Sequence, residues 1–249
     1  MRVVGVVQAR MGSSRLPGKM LMEVGGRSLI QHVCDRLRLC DQLDDLVVAT
    51  STSETDDLLA RKVEELGCHV YRGSETDVLD RVYGAGRSYG ADAVVRMTGD
   101  CPLIDPREVD RVVSVFRTSD ALDYCALGYT YPEGFGAEVV RFRTLEAAWS
   151  EASAESDREH VTPYIQRAKE RFSARWVDWN QDLSAYRVTV DEEEDLEVVA
   201  ALVDALISVD AAFGLEAVVG YLQANPSVAN TNAHIARSGA WRSKSNEPE

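Results

Sequence analysis

Unbroken apolar runs alternate with amphipathic stretches along most of this chain. Residues 3–7 are Val, Val, Gly, Val and Val, the pattern of a strand covered on both faces. Residues 46–50, 69–72 and 93–97 repeat the theme, and each of the four runs is followed by a stretch of helical periodicity. Leu29, Val33, Leu37 and Cys40 mark one face of a first helix. Leu58, Leu59, Val63 and Leu66 mark that of a second, which Gly67 closes as a C-cap. Such alternation predicts βαβ units with right-handed crossovers, and hence an α/β fold around a mostly parallel sheet.

The pattern changes after Phe116. Short aromatic-rich pieces with Pro132, Gly134 and Gly136 fill residues 124–140, and two more strand-like runs surround Trp176 and Tyr186. They predict a small β-containing insertion at about residues 122–186, placed to cover a ligand or to meet a second subunit. Residues 186–190, YRVTV, read as one of its strands. Helical periodicity returns at residues 192–207 and 215–223, so residues 1–237 read as a single domain. The polar stretch 238–249 reads as a flexible tail.

Composition narrows the function. The 249 residues carry a formal net charge of −14, which argues against a nucleic-acid binder, whose footprint is basic. Five cysteines (Cys34, Cys40, Cys68, Cys101, Cys125) form no CxxC pair and have no His at ligand spacing. A reduced cytoplasm is therefore expected, with neither a disulfide frame nor a zinc site. No run approaches the roughly 18 apolar residues of a membrane span, and the first residues lack a signal-peptide core.

Against that acidic background the loop 8–19 stands out. Gly12, Ser13, Ser14 and Gly18 let a backbone approach a ligand, and Arg10, Arg15 and Lys19 supply cations, which together suit a phosphate cradle. A P-loop is excluded, because five residues separate Gly12 from Gly18 and Met20 follows Lys19. Two acidic residues then fall at strand exits, where open α/β sheets bind ligands. Asp100 follows VVRM through Thr98 and Gly99, and Asp191 follows YRVTV. The pair suits Mg²⁺ shared with phosphate oxygens. A turn former and a helix N-cap are the plainer alternatives, and residues 192–194 suit a helix's first turn.

Seven blocks, QARMGSSRLPGK, GGRSLIQH, VVATS, RGSETDVLDR, RMTGDCPLIDP, SDREHVTPYI and RVTVDEEEDLEVV, run from about Arg2 to Leu222. In this order they closely resemble the cytidylyltransferase family that includes the CMP-sugar synthetases, best its spore-coat-polysaccharide, SpsF-like branch. The resemblance implies a nucleotide-diphospho-sugar-transferase (GT-A, Rossmann-like) three-layer fold that binds CTP and Mg²⁺. It implies transfer of CMP to an anionic acceptor, an acidic sugar such as a nonulosonic acid or a small phosphonate, with release of pyrophosphate. It also implies a homodimer formed through the inserted segment, while the composition already argues for no membrane and no nucleic-acid partner.

Carried over by position, Ala9, Arg10, Gly12, Ser13 and Ser14 form the nucleotide loop, and Arg15 and Lys19 are its triphosphate cations. Ser51, Arg72 and Thr76 build the nucleotide pocket with Thr98 and Gly99. Asp100 and Asp191 are the metal ligands, and Arg15, Lys19 and Asp100 carry catalysis. Relatives of the lipopolysaccharide branch read QGDEP where this chain reads TGDCP, so Cys101 replaces an acidic neighbour. Arg158, Glu159 and His160 are the acceptor-side candidates, at the start of a helix that Ser156 or Asp157 caps; a local Arg–Glu surface pair is the alternative. His32, His69, Trp176 and Trp179 read as structural. A glycosyltransferase of the same fold is the main competing reading, although no DxD follows the strand before Asp100. A scaffold that has lost its chemistry is the other.

Overall fold

In the computed structural model, which describes residues 1–210 and 212–237, the chain enters its sheet at β1 (Val3–Gln8). The stretch 238–249, read above as a tail, lies outside the described residues. After the loop 9–18 comes a single 3-10 turn, Lys19–Leu21, and a hairpin of β2 (Glu23–Val24) and β3 (Arg27–Ser28) that the apolar pattern does not announce. Its turn is Gly25–Gly26 at φ 57° and 75°, the left-handed pair that a tight two-residue hairpin requires. Ser28 then caps α1 (Leu29–Leu37), its hydroxyl accepting from the Gln31 amide. The alternation continues through β4 (Asp45–Ser51), α2 (Asp57–Glu65), β5 (His69–Gly73), α3 (Val78–Ser88), β6 (Ala93–Thr98) and α4 (Pro106–Arg117).

These strands lie parallel in the order β5-β4-β1-β6. The connection from β5 through α3 passes over β4 and β1 to reach β6. The winding therefore reverses between β1 and β6, which opens a crevice at their carboxyl ends. β7 (Tyr124–Leu127) and β8 (Glu138–Arg141) add antiparallel neighbours, α5 (Phe142–Glu151), α6 (Glu155–His160) and α7 (Pro163–Arg167) follow, and β9 (Ala174–Val177) completes seven strands. The strands of residues 122–186 thus lengthen the main sheet. α8 (Glu193–Leu206), α9 (Leu215–Ala224) and α10 (Pro226–Thr231) end the described chain.

Alternate residues of β1 face two cores, which makes three layers. Val3 and Val7 join Leu29, Val33, Val109, Val198 and Leu215 on one face; Val4 and Val6 join Leu79, Val82, Leu145 and Ile165 on the other. The mixed α/β fold with its mostly parallel sheet is as the pattern predicts. Some details differ. YRVTV forms no strand: Arg187 makes an isolated bridge to Glu133, and the amides of Val188 and Val190 donate to the carbonyls of Glu133 and Asp100. Leu58 is 57% exposed because α2 begins only at Asp57 and turns Leu59 and Val63 inward. Cys40 lies beyond the end of α1. No helix among the described residues is long and apolar enough to cross a membrane.

Candidate active site

The crevice is a cleft of about 400 Å³, walled by the loop after β1, the turn after β6, β8 and the segment from α6 to α7. Gly18, at φ 75°, reverses the loop so that Lys19 turns inward. Asp56 anchors the loop from behind: it is 1% exposed, accepts from the Met11 amide at 2.7 Å, and holds both the amide and the hydroxyl of Ser51. Gly99 packs so closely against Ala9 and Met20 that an added Cβ would fall 2.9 Å from Ala9 and 2.8 Å from Met20. The two loops are therefore pressed together at the cleft floor.

Lys19 sits at the centre. Its ammonium donates to the Val190 carbonyl at 2.7 Å, to Asp191 at 2.8 Å and to Asp100 at 3.2 Å, and the residue is 6% exposed. Burial works against this charge, but the two carboxylates outweigh it and hold the Lys19 pKa above its ordinary value. Asp191 is half-buried, which alone would raise its pKa; Lys19, Arg15 and Arg187 instead hold it below the usual carboxylate range. Arg15, half exposed, reaches Asp191 at 3.1 Å and Glu192 at 3.0 Å.

Both acids are fixed from behind. Asp100 accepts from the Thr98 hydroxyl at 2.6 Å, and its carbonyl accepts from the Val190 amide at 2.8 Å. The fully buried Asp195 accepts from the amides of Asp191 and Glu192 at 2.9 and 3.1 Å, closing a capping box at the start of α8. The cap of α8 is thus Glu192, which leaves Asp191 free to face the cleft. Arg187 ties the group together through Glu133 at 2.6 Å, Asp195 at 2.8 Å and Asp191 at 3.1 Å.

Two carboxylates from distant parts of the chain already converge on one cation. Their hard oxygen donors fit a divalent ion of the Mg²⁺ class with that ion's remaining positions filled by phosphate and water. Among the described residues no group of three or more His, Cys, Asp or Glu gathers at ligand distance, so such an ion would have to share its shell with a substrate. Cys101 beside them is buried, and burial together with Asp100 pushes its thiol far up, so it stays protonated.

Further along the cleft, Arg96 donates to Glu138 at 2.7 Å and to Gln8 at 2.8 Å. Tyr124 donates to Glu138 at 3.0 Å and accepts from Gln166 at 2.9 Å. Trp176, 40% exposed, stands edge-on to Tyr124 with ring centres 5.9 Å apart. At the opposite end Arg10 donates to the Glu75 carbonyl at 3.2 Å, close to Arg81.

Most residues singled out from the sequence line this cleft: Ala9, Arg10, Gly12, Ser13, Ser14, Arg15, Lys19, Thr98, Gly99, Asp100, Glu159, His160 and Asp191. Four do not. Ser51 supports the loop through Asp56, as described. Arg72 is spent on the carbonyls of Ser51 and Ser53 and on Asp57. Thr76 is exposed outside the cleft. Arg158 grips Asp77, at 2.5 and 2.8 Å, and the Trp149 carbonyl at 2.6 Å, and so joins α6 to the N-terminus of α3. Nor do Ser156 and Asp157 cap α6: the cap is Ala154, and Asp157 forms a two-pronged pair with Arg167 at 2.8 and 2.7 Å. His32 is structural, its Nε2 on the Val24 carbonyl. Trp176 differs from its expected role, because it faces the cleft.

The family model for cytidylyltransferases matches residues 4–223. The spore coat polysaccharide biosynthesis protein SpsF of Bacillus subtilis is 34% identical over 211 residues, 80% of this chain and 85% of that protein. Among solved structures, a cytidylyltransferase from Leptospira borgpetersenii superposes with a TM-score of 0.89 at 30% identity, covering 95% of this chain and all of that one. A CMP:2-keto-3-deoxy-manno-octonic acid synthetase in complex with CTP shares the fold, with a TM-score of 0.66 at 22% identity over 82% of this chain and 99% of that one.

Proposed function

The chain belongs to the cytidylyltransferase family, as an enzyme of the CMP-sugar synthetase type, and from that premise we propose that it transfers CMP from CTP to an acidic sugar and releases pyrophosphate. The observation that carries this reading is the convergence of Lys19, Asp100 and Asp191 beside the Gly- and Ser-rich loop at the switch point of the sheet. That loop offers small residues and cations where a triphosphate would lie.

In the reaction an acceptor oxygen bonds to the α-phosphorus while the bridging bond to the β-phosphate breaks, its electron pair leaving with pyrophosphate. Alignment and neutralisation of charge supply most of the acceleration in such transfers. Arg15 and Lys19 would meet the leaving pyrophosphate, and the loop from Gly12 to Ser14 would orient the phosphates. A Mg²⁺ held by Asp100 and Asp191 would neutralise charge on the phosphate oxygens. The fold relative solved with CTP supports that nucleotide.

The acceptor end favours a polyhydroxylated acid over a small phosphonate. With Arg158 engaged on Asp77, that end presents Glu159, His160, Thr162, Gln166 and an exposed Trp176, groups suited to hydroxyls and to the apolar face of a sugar ring. A pyrophosphate-release assay with CTP, Mg²⁺ and a panel of acidic sugars and phosphonates tests this. Turnover with at least one acidic sugar and with no phosphonate is expected; turnover only with phosphonates would refute the acceptor assignment.

A further inference from the structure

All five cysteines are free thiols, and two of them meet away from the cleft. Cys34 lies in α1 and is fully buried. Cys68 stands between the end of α2 and the first residue of β5 and is 8% exposed. Gly67, at φ 72°, turns the chain after α2 so that the Cys68 amide donates back to the Val63 carbonyl at 3.1 Å. Arg38 joins α1 to this turn. Its amide donates to the Cys34 carbonyl at 3.1 Å, and its guanidinium donates to the Leu66 carbonyl and pairs with Asp35 at 3.5 Å. Both cysteines belong to one apolar cluster with Val33, Leu37 and Val63. There the Cys34 thiol donates to the Cys68 sulfur, which also accepts from the Arg38 guanidinium.

A sulfur that accepts from two donors takes on negative charge more readily. The hydrogen bond from Cys34 pulls the Cys68 thiol below its ordinary pKa against the opposing effect of burial, and Arg38 adds to it. The same hydrogen bond, with burial, pushes the Cys34 thiol up. Burial also raises Cys40, Cys101 and Cys125, so those three stay protonated at neutral pH. A sulfur within reach of a small oxidant, with a second thiol in contact, is the arrangement of redox-sensitive cysteines. We propose that Cys34 and Cys68 form a redox pair that hydrogen peroxide closes to a disulfide, Cys68 meeting the peroxide and Cys34 resolving the product. First the Cys68 thiolate bonds to one peroxide oxygen and the O–O bond breaks; the departing hydroxide takes up the proton that Cys68 gave up and becomes water. The Cys34 sulfur then bonds to Cys68, and the sulfenic hydroxyl leaves with the Cys34 proton as a second water. The two thiols lose two electrons, and the peroxide gains them. Neither cysteine borders the cleft, so the bond latches α1 to the turn before β5 without entering the site.

Intact-mass measurement and peptide mapping of the full chain treated with hydrogen peroxide test the proposal. Wild-type protein should lose about 2 Da, the two hydrogens of one disulfide, and recover them with a dithiol reductant. Mapping should place the bond between Cys34 and Cys68. The urea midpoint should rise on oxidation, because a cross-link from α1 across β4 and α2 restricts the unfolded chain. In Cys34→Ala, dimedone, which traps sulfenic acid, should label Cys68; in Cys68→Ala it should leave Cys34 unlabelled. No loss of mass, a bond between any other two cysteines, or a bond that forms only in urea-unfolded protein would overturn the pairing. Dimedone on Cys34 in place of Cys68 would overturn the assigned roles, and an unchanged or lower urea midpoint would overturn the latch. The wild-type measurements decide the pairing even if a variant fails to fold.

Discussion

Replacing Lys19 with Met should loosen CTP and tighten a bare divalent ion at the same time. The ammonium is in direct contact with Asp100 and Asp191 at 3.2 and 2.8 Å, so it stands where a metal shared by those carboxylates would stand. Without it, Asp191 keeps Arg15 and Arg187, but Asp100 keeps only neutral partners among the described residues, the Thr98 hydroxyl and the Cys101 thiol. Two like charges about 6 Å apart, the most by which two oxygens touching one ammonium can be separated, repel by about 3 kcal/mol at an effective dielectric constant of about 20. A cation entering between them relieves that repulsion, which corresponds to roughly hundredfold tighter binding. The triphosphate meanwhile loses a charge-assisted contact of about 1.5–3 kcal/mol, or roughly tenfold to more than a hundredfold in CTP affinity. CMP, which lacks the β- and γ-phosphates, should bind almost as before. The assay is Mn²⁺ binding by electron paramagnetic resonance without nucleotide, beside calorimetry with CTP and CMP. Unchanged Mn²⁺ affinity in the variant would show that Lys19 does not occupy the cation position, and equal losses for CTP and CMP would show that it does not serve the leaving group.

Three further outcomes follow from the same geometry. Asp100→Asn and Asp191→Asn should each reduce turnover more than about a hundredfold, as loss of a key electrostatic group does, with unchanged circular dichroism, whereas Cys101→Ala should keep most activity because a protonated thiol is a poor partner for a hard ion. Arg187→Met should lower stability by about 3–5 kcal/mol in urea unfolding, since it removes the buried cation that pairs with the fully buried Asp195 and with Glu133. Stability should also fall in acid. Asp191 and Asp195 are held below the usual carboxylate range by Lys19 and Arg187 despite burial, so their contribution is complete above about pH 4, the unfolded value, and is lost as pH drops through the folded values. Urea midpoints measured from pH 7 downward check the sign, and a rise in stability below pH 4 would contradict it.

The four parallel strands β5, β4, β1 and β6 of the seven-stranded sheet are legible in the sequence because β1, β4 and β6 are covered on both faces and so are mostly apolar. The other three strands are not, for β7, β8 and β9 have only four residues each, and alternation over so few positions carries little signal. YRVTV fails in the opposite sense: Val188 and Val190 are fully buried in the core, but only Arg187 makes a bridge, so burial mimicked a strand. At the site, the strand-exit rule found Asp100, it reached Asp191 only through a strand, YRVTV, that does not form, and cation spacing found Lys19. Their meeting needed the fold, since Lys19 lies 81 and 172 positions from its partners. Arg72 and Arg158 look like free cations in sequence, and only the structure shows their fork of donors consumed by nearby carbonyls and carboxylates. Arg96 did leave a sign, as a charge inside the β-branched run of β6.

Transfer of the α-phosphate is the central claim, and CTP radiolabelled at that phosphate tests it most directly. Incubation with Mg²⁺ and acidic sugars should move the label into a product that contains the sugar, with one pyrophosphate released per label transferred and far less transfer from equally labelled UTP. Release of free CMP alone across the whole panel, or equal transfer from CTP and UTP, would contradict the account.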